Sequence, residues 1–323
     1  MNFLLEQTVT IAESLGVGLR IVTDPAPALE LRYGNGSVRH LYHCWPDINP
    51  AAAAQAARVK AWSLHFLKEA GFRVPDFGCF GKQAWAEAHM AGRDEAAAIA
   101  YAETLGFPVV VKPCNLSYSE GVHMVASAED LRRILPQVTA KDPMFLVQRV
   151  VQGREYRVVV LEDRIELLFE KMPVRVRGDG QRTLGALLEA HLAALREQGH
   201  EAAISAEDPR FESFLRASGR TREDVPSHGE EVRVSLAAGL IAGGEVAEAQ
   251  EFPERLHGEM VALAREAGLR YAGIDVIVNP EGAHVIEINA YPGNGGYAAL
   301  GAESLARVQG LTTRLVEAMG RLA

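Results

Sequence analysis

Apolar and polar residues follow one another along the chain with periods that predict strands in some stretches and helices in others. The most informative pattern lies near the carboxyl end, where two apolar runs, 274–278 and 284–288, flank Asn279-Pro280-Glu281-Gly282. Proline and glycine at these places favour a three-residue hairpin loop with a bulge, here residues 280–282. We therefore predict a β-hairpin with a core-facing side formed by Ile274, Val276, Ile286 and Ile288.

The other side of this hairpin carries two acids. A loop over residues 280–282 makes Asp275 the cross-strand neighbour of Glu287, with Cβ atoms about 5 Å apart. Asn289 points to the same side, because strand side chains repeat every two residues. Like charges at this distance repel by roughly 3 kcal/mol at an effective dielectric of about 20, so the pair needs compensation.

Two kinds of compensation are open for these acids. Lys or Arg side chains can neutralise them at a solvated surface. Alternatively, two carboxylates and an amide are hard oxygen ligands that suit Mg²⁺ bound to phosphate oxygens. The nearly continuous Val and Ile of both strands favour the cation over a solvated pair.

Upstream of the hairpin, the pattern predicts helices and strands along most of the chain. Predicted helices cover 2–15, 50–70, 94–105, 127–135, 184–195 and 254–267, and a last helix begins near 303. Predicted strands cover 19–22, 29–33, 38–42, 107–113, 122–125, 144–151, 155–161 and 165–171. Residues 199–230 are polar and irregular, and we predict an inserted helical or mobile segment there. A length of 323 residues suggests two or three subdomains.

Composition limits the classes of partner and compartment. The net charge of −9 argues against nucleic acid as the main partner, because no overall basic field attracts phosphate backbones. Cys44, Cys79 and Cys114 stand far apart without a CxxC, so neither a zinc site nor a disulfide framework is indicated. No apolar run reaches about 18 residues, and residues 1–19 lack a basic start. We therefore expect a cytoplasmic protein without a membrane partner.

A strand, a loop of small polar residues and a second strand follow one another over residues 107–125. Lys112 ends the first strand, and the loop contains Ser117, Ser119 and Gly121. Such a loop can present backbone N–H groups to phosphate, with Lys112 as a point charge. The alternative is a lysine that is simply exposed at a strand end. The chain lacks GxxxxGK(S/T), GxGxxG after a first strand and GxSxG, which removes the commonest phosphate-loop and serine-hydrolase interpretations.

Three arginines surround the glycine-rich residues 178–180 in a predicted basic loop. They are Arg175, Arg177 and Arg182. These side chains either bind an anionic substrate or phosphate, or form a solvated surface, and the sequence leaves both interpretations open.

Four segments resemble the ATP-grasp superfamily of ligases, from about residue 49 to the end. They are the helix-borne Lys60 ahead of GFRVP, then FPVVVKP, LVQRVVQGREYRVVV and GIDVIVNPEGAHVIEINAYPG. Among these ligases the chain is most similar to the ATP-binding domains of cyanophycin synthetase and of bifunctional glutathione synthetases. The resemblance implies an α/β (α+β) ATP-grasp fold, with an N-terminal region at 1–75, a lid subdomain at 76–150 and a C-terminal subdomain carrying the metal site at 151–323.

The resemblance also implies a set of contacts to ATP. Lys60 and Lys112 would contact its phosphates, and the loop with Ser117, Ser119 and Gly121 would cover them. Gln148, Arg149 and Val151 would lie on the strand that contacts the adenine base, and Glu155 would contact the ribose. Two features depart from the family pattern: Gln148 stands where relatives usually have Glu, and the loop has one glycine where relatives often have several.

The same resemblance implies the metal and substrate ligands. Asp275, Glu287 and Asn289 would hold one or two Mg²⁺ ions, with Mn²⁺ as an alternative. Lys171 corresponds to a basic residue near the γ-phosphate, and Arg157 is the candidate for the substrate carboxylate.

An ATP-dependent carboxylate-amine ligase is the function that the resemblance implies. Such an enzyme joins a small-molecule carboxylate to an amine, here amino-acid-like substrates, through an acylphosphate. The basic residues 175–182 favour glutamate-like or aspartate-like acids. Two alternatives remain: ATP-dependent transfer to a non-amine acceptor, and a nucleotide-binding regulatory protein without turnover. Whether the chain forms a homodimer is also open.

Overall fold

The computed structural model describes residues 3–24, 26–117, 119–198 and 204–322, which form three antiparallel sheets with helices around them. The elements up to residue 149 are α1 (Phe3–Ser14), β1 (Gly18–Val22), β2 (Ala28–Arg32), β3 (Val38–Tyr42), β4 (Trp45–Pro46), α2 (Ala51–Arg58), α3 (Lys60–Glu69), β5 (Phe77–Gly81), α4 (Gln83–His89), α5 (Glu95–Leu105), β6 (Val109–Pro113), β7 (His123–Val125), α6 (Ala128–Lys141) and β8 (Met144–Arg149). Those that follow are β9 (Arg154–Leu161), β10 (Arg164–Arg177), α7 (Leu184–Glu197), α8 (Pro209–Ala217), β11 (Glu231–Ala238), β12 (Glu245–Glu248), α9 (His257–Glu266), β13 (Tyr271–Asn279), β14 (Gly282–Asn289), α10 (Gly295–Ala298) and α11 (Ala302–Gly320).

The first sheet, in the order β1-β2-β3-β4, lies beside the helices at the two ends of the described chain. Leu29 and Leu41 of the sheet pack with Leu5 of α1 in a buried cluster. Tyr33, just after β2, donates a hydrogen bond to the carbonyl of Val316 in α11 at 2.7 Å. The amino-terminal sheet is therefore joined to the last helix.

The second sheet, in the order β5-β8-β6-β7, spans residues 77–149. On one face, Val109, Val111 and Val147 are buried with Leu131 of α6, and α5 packs on the same side. Leu146 alternates with Val147 and points to the opposite face, where it joins the largest core of the protein.

The third sheet has the order β11-β10-β9-β13-β14, with β12 also paired to β10, among the described residues. Its side chains alternate between two cores. Val158 and Ile274 face the core under α2, α3 and α9, whereas Val159 and Tyr271 face the core under α1 and α11. Beyond the second core, the same face of the sheet turns polar and opens toward the second sheet.

The hairpin of β13 and β14 has the predicted pairing at its acids but a different turn. Asn279 pairs with Gly282, so the turn contains two residues and the predicted three-residue loop is wrong. A bulge at Ile286 restores the pairing of Asp275 with Glu287. The prediction of Ile286 as a core residue is also wrong, because one extra residue shifts the alternation of the side chains.

The predicted helix over 50–70 is two helices, with a break at Val59. Val59 has an extended backbone with φ −98° and ψ 97°. The N–H of the next residue, Lys60, donates to the carbonyl of Cys114 at 3.0 Å. This hydrogen bond ties the start of α3 to the chain just after β6.

Strand β10 is longer than predicted because β11 and β12, far along the chain, pair with its second half. It includes Arg175 and Arg177, which the sequence assigned to a loop, whereas Arg182 does lie in the loop that follows. The segment predicted as helical or mobile at 199–230 contains α8, and its residues 199–203 lie outside the described chain. Within the described ranges, no helix combines the length and hydropathy needed to cross a membrane.

Candidate functional site

A cleft of about 850 Å³ lies between the second and third sheets. Strands β6 and β8 border it on one side. Strands β9, β10, β11, β13 and β14 form its floor. The cleft is lined by these predicted site residues: Lys60, Lys112, Ser117, Ser119, Gln148, Arg149, Val151, Glu155, Arg157, Lys171, Asp275, Glu287 and Asn289. Gly121 is the one predicted site residue that does not line it, among those the structure describes.

A row of charged side chains crosses the floor on adjacent strands. Arg157, Asp275 and Glu287 are in register on β9, β13 and β14. Arg157 donates from Nε to Asp275 Oδ1 at 2.5 Å and from Nη2 to Oδ2 at 2.8 Å. Lys171 Nζ donates to Glu155 at 2.6 Å and lies 3.4 Å from Asp275 Oδ2. Arg157 and Lys171 therefore neutralise the charge of Asp275, for which the sequence indicated no specific partner.

Asp275 is ionised in this surrounding. Burial raises the pKa of its carboxyl group, but the charges of Arg157 and Lys171 outweigh burial and hold the pKa well below its usual range. The Lys and Arg compensation considered from the sequence is thus present at Asp275, although inside a cleft rather than at a solvated surface.

Glu287 and Asn289 present oxygens to the cleft with fewer protein partners than Asp275. The Glu287 side chain is 23% exposed, and its Oε1 lies 3.7 Å from Lys60 Nζ. In the described ranges, no group of three or more His, Cys, Asp or Glu side chains could hold a metal by itself. An ion bridging to phosphate needs only one or two carboxylates, because phosphate oxygens and water complete its shell. Glu287 and Asn289 fit such an ion, with Asp275 adjacent.

Two buried ammonium groups stand above this row. Lys60 and Lys112 are 6% and 4% exposed. Lys112 Nζ donates to the carbonyl of Ile286, at the bulge, at 3.3 Å, and Lys60 Nζ donates to the carbonyl of Leu116. Burial, together with the charge of Lys60, lowers the pKa of Lys112 to about 8. Two desolvated cations side by side create a strong site for an anion.

The predicted phosphate loop forms one wall of the cleft. Ser117 and Ser119 border the cleft, and Tyr118 between them lies outside the described residues. Gly121 has φ +69°, and a Cβ there would come within 2.8 Å of Pro113 Cγ. Gly121 is therefore needed for the turn that returns the chain to β7.

On β8, which also borders the cleft, one side-chain amide lacks a hydrogen-bond partner among the described residues. Gln148 on β8 is buried, and its Nε2 has no hydrogen-bond partner among the described residues. A buried donor without an acceptor is costly, so this amide is a candidate to donate a hydrogen bond to a bound ligand. Arg149 borders the cleft, but its guanidinium donates to the carbonyl of Leu105 at 3.1 Å. The carboxylate of Glu155 accepts a hydrogen bond from Lys171.

Sequence reasoning missed Arg233, which lies on β11 directly across from Arg175 of β10. Both line the cleft. Arg233 donates to its own strand's carbonyls at Ser235 and Leu236, at 2.8 and 3.1 Å, and stacks over Phe214 at 5.3 Å. Burial and the charge of Arg175 lower the pKa of Arg233. The alternating sequence of β11 was the available signal, but its pairing partner is not local.

Several known proteins are similar to parts of the chain. The family model described as D-ala D-ala ligase C-terminus matches residues 66–180. Cyanophycin synthetase of Trichormus variabilis is 26% identical over 204 residues, which cover 58% of this chain and 22% of that protein. The glutathione biosynthesis bifunctional protein GshAB of Streptococcus mutans is 26% identical over 226 residues, covering 68% and 28%. The chain thus spans about a quarter of the length of these relatives.

Two solved structures have the same fold. The bifunctional glutathione synthetase from Pasteurella multocida has a TM-score of 0.55 and 19% identity, covering 97% of this chain and 44% of that one. The VanG D-Ala:D-Ser ligase from Enterococcus faecalis has a TM-score of 0.52 and 14% identity, covering 84% and 63%. Together with the family model and the sequence relatives, they show that the chain has the ATP-grasp fold.

Proposed function

We propose that the protein is an ATP-dependent carboxylate-amine ligase. ATP would transfer its γ-phosphoryl group to a substrate carboxylate, giving ADP and an acylphosphate. An amine nitrogen would then attack the acyl carbon, the bond from that carbon to the phosphate oxygen would break, and phosphate would leave with the electron pair. The observation that carries the proposal is the pair of buried lysines facing the Arg157-Asp275-Glu287 row.

The nucleotide would lie between the two sheets. Lys60 and Lys112 would contact its phosphates, since both are buried cations at the same end of the cleft. The unpartnered amide of Gln148 would donate to an acceptor of the adenine base, and the loop with Ser117 and Ser119 would cover the triphosphate. The match to a family described as a ligase and the similarity to a relative named as a synthetase support a ligase that binds ATP in this cleft.

Glu287 and Asn289 would hold Mg²⁺, with Asp275 as a further ligand through the lone pairs that Arg157 and Lys171 leave free. When bound, the ion would neutralise charge on the phosphate oxygens. Mn²⁺ has similar oxygen preference and is the alternative.

The chain's own residues would act mainly by position and charge. Lys171 would neutralise charge that develops on the transferred phosphoryl group, and Arg157 would orient the carboxylate that attacks it. Asp275 holds Arg157 by two hydrogen bonds, so the guanidinium is fixed before the substrate arrives. The wall formed by the loop at 117–121 would exclude water that hydrolyses an acylphosphate. This chemistry needs no protein nucleophile.

We also propose that one substrate carries an additional carboxylate. Arg175 and Arg233 face each other across β10 and β11, and like charges in that position are unfavourable without an anion. The acid nearest Arg175 is the exposed Glu231, at 3.7 Å. A planar carboxylate between the two guanidinium groups would satisfy both. Glutamate-like and aspartate-like substrates have the required second carboxylate.

ADP release tests the proposed activity. Purified protein is incubated with ATP, Mg²⁺ and pairs drawn from a panel of amino acids and short peptides. Release that depends on both an acid and an amine supports the ligase, and replacement of glutamate or aspartate by glutamine or asparagine should reduce it. Release with an acid alone would indicate a kinase. Tight ATP binding without ADP under any pairing would indicate a nucleotide-binding regulator.

A further inference from the structure

Helix α8 belongs to the segment that the sequence left unassigned, and it is attached to the third sheet. Its Phe211 and Leu215 are buried in a cluster with Val232 and Val234 of β11 and with α7. This apolar cluster attaches α8 to the third sheet.

The other side of α8 meets the second sheet and its helix α6 through polar groups. Ser213 Oγ lies 3.2 Å from Nδ1 of His123, a buried residue of β7. Arg133 of α6 donates to Glu212 at 3.3 Å, where both side chains are exposed. Helix α8 is thus in contact with both sheets that border the cleft.

Arg210, in the first turn of α8, reaches the phosphate loop. Asp208 accepts from its Nε at 2.8 Å and from its Nη2 at 2.6 Å. Both side chains are largely buried, so this fork fixes the guanidinium. The remaining nitrogen, Nη1, donates to the carbonyl of Ser119 at 2.7 Å.

Ser119 has a backbone that depends on its neighbours. Its φ is +57°, in the left-handed region that favours glycine. Such a conformation persists only where the surroundings hold it. Its carbonyl accepts from Arg210 and from the N–H of Val122, at 3.2 Å. Since N–H and C=O point in opposite directions across a trans peptide, fixing this carbonyl also fixes the N–H of Glu120, which donates to the carbonyl of Ser117 at 3.1 Å and so holds the turn of the loop.

We infer that Arg210 is a positioning residue for the phosphate loop, through which the third sheet sets the Ser119 peptide against the cleft. Ser119 and Glu120 line the cleft, whereas Arg210 lies behind them and does not. The ligand whose binding depends on this peptide is a nucleotide phosphate chain, and only that identity rests on the proposed function.

The test compares a nucleotide with and without phosphates. The probes are the non-hydrolysable ATP analogue AMPPNP with Mg²⁺, and adenosine, each measured by calorimetry. Arg210→Gln should weaken AMPPNP binding about tenfold and leave adenosine binding unchanged, because loss of one hydrogen bond to an ordered loop is worth about one decade. Arg210→Lys should recover part of the loss, since it keeps the charge. Arg133→Gln is the matched control and should change neither affinity more than about twofold.

Hydrogen exchange of the Val122 amide gives a readout that needs no ligand. It should be faster in Arg210→Gln than in the wild type and in Arg133→Gln, because the acceptor of that amide loses its anchor. Unchanged exchange, or an equal loss of AMPPNP and adenosine binding, would overturn the inference. If the wild type binds neither probe, the proposed function fails, while faster Val122 exchange in Arg210→Gln still supports the positioning role. Should Arg210→Gln not fold, the same comparisons are made with Arg210→Lys.

Discussion

At the scale of single residues, Asp275 and Glu287 face each other but have different surroundings. Both oxygens of Asp275 accept hydrogen bonds from Arg157 and Lys171. Among the described residues, the cation within 4 Å of Glu287 is Lys60, at 3.7 Å, and the Glu287 side chain is partly exposed. The carboxylate of Asp275 therefore fixes the positions of Arg157 and Lys171, whereas the carboxylate of Glu287 remains available to a ligand.

Glu287→Gln and Asp275→Asn should have different effects on stability. Asp275→Asn leaves Arg157 and Lys171 with a neutral partner in a buried position, and we expect it to cost about 3–5 kcal/mol of unfolding free energy. Glu287→Gln should change the unfolding free energy by no more than about 1 kcal/mol, since its ion pair is long and partly exposed. Urea unfolding of both variants measures the difference.

Both substitutions should also remove ADP formation, for separate reasons. Glu287→Gln removes the charged oxygen proposed to bind Mg²⁺ and should weaken the Mg²⁺-dependent part of ADP binding. Asp275→Asn removes the charge that holds the guanidinium of Arg157 in place. Equal stability of the two variants would show that the fork between Arg157 and Asp275 contributes nothing. Near-normal turnover of Glu287→Gln would make its metal assignment wrong.

At the scale of elements, the contact between β7 and α8 contains a buried titratable group. Burial lowers the pKa of His123 to about 4, and the charges that act on it come from Asp208, Arg210 and Lys141. Its ring is within hydrogen-bond distance of Ser213. The unfolded chain, with an ordinary His pKa of about 6.5, takes up a proton at higher pH than the folded protein.

This difference predicts a pH-dependent loss of stability. Because the folded pKa is the lower one, the stability contributed by neutral His123 is present above about pH 6.5 and is lost as the pH falls toward about 4. Between pH 7 and pH 4.5 the loss should be about 2 kcal/mol. Urea unfolding of wild type and His123→Gln at the two pH values measures it, and the variant should show a smaller pH difference. Equal pH differences would mean that His123 titrates normally in the folded state.

At the scale of the whole molecule, the second and third sheets are in direct contact inside the cleft. Lys112 of β6 donates to the carbonyl of Ile286 in β14, so the group proposed to bind phosphate also joins the two sheets. Its position between them explains its burial, and burial explains its lowered pKa of about 8. The contact between the sheets and the charge of Lys112 are thus coupled through its burial.

This coupling predicts a pH dependence of nucleotide binding. A lysine with a pKa of about 8 in the free protein loses its charge as the pH rises through that value. The affinity for ADP with Mg²⁺ should therefore fall about tenfold between pH 7.5 and pH 9.5, the effect of losing one charge-assisted hydrogen bond. Lys112→Arg keeps its charge over this range and should show little change. Parallel pH profiles of wild type and Lys112→Arg, measured by calorimetry, would contradict the assignment.

Local sequence patterns determined much of the fold and of the candidate site. The predicted pairing of Asp275 with Glu287 is present, although a two-residue turn and a bulge replace the predicted loop. The resemblance of four short segments to ATP-grasp ligases indicated the fold. Most predicted helices and strands also lie within a few residues of their observed positions, as in the closing helix that was predicted from 303 and begins at 302. These features depend on neighbours in sequence, which is why a single chain reveals them.

Long-range contacts decided the rest. The break at Val59 is followed by a hydrogen bond from Lys60 to the carbonyl of Cys114, a contact that no local pattern specifies. Arg157 neutralises Asp275 across 118 residues of sequence, and α8 brings Arg210 to Ser119 across 91. A charged side chain looks the same in sequence whether it meets water, an acid or a ligand. The packing of the sheets removes water from these charged side chains and selects their partners. The tertiary structure, and not the local sequence, therefore decides how the charges in the cleft are neutralised.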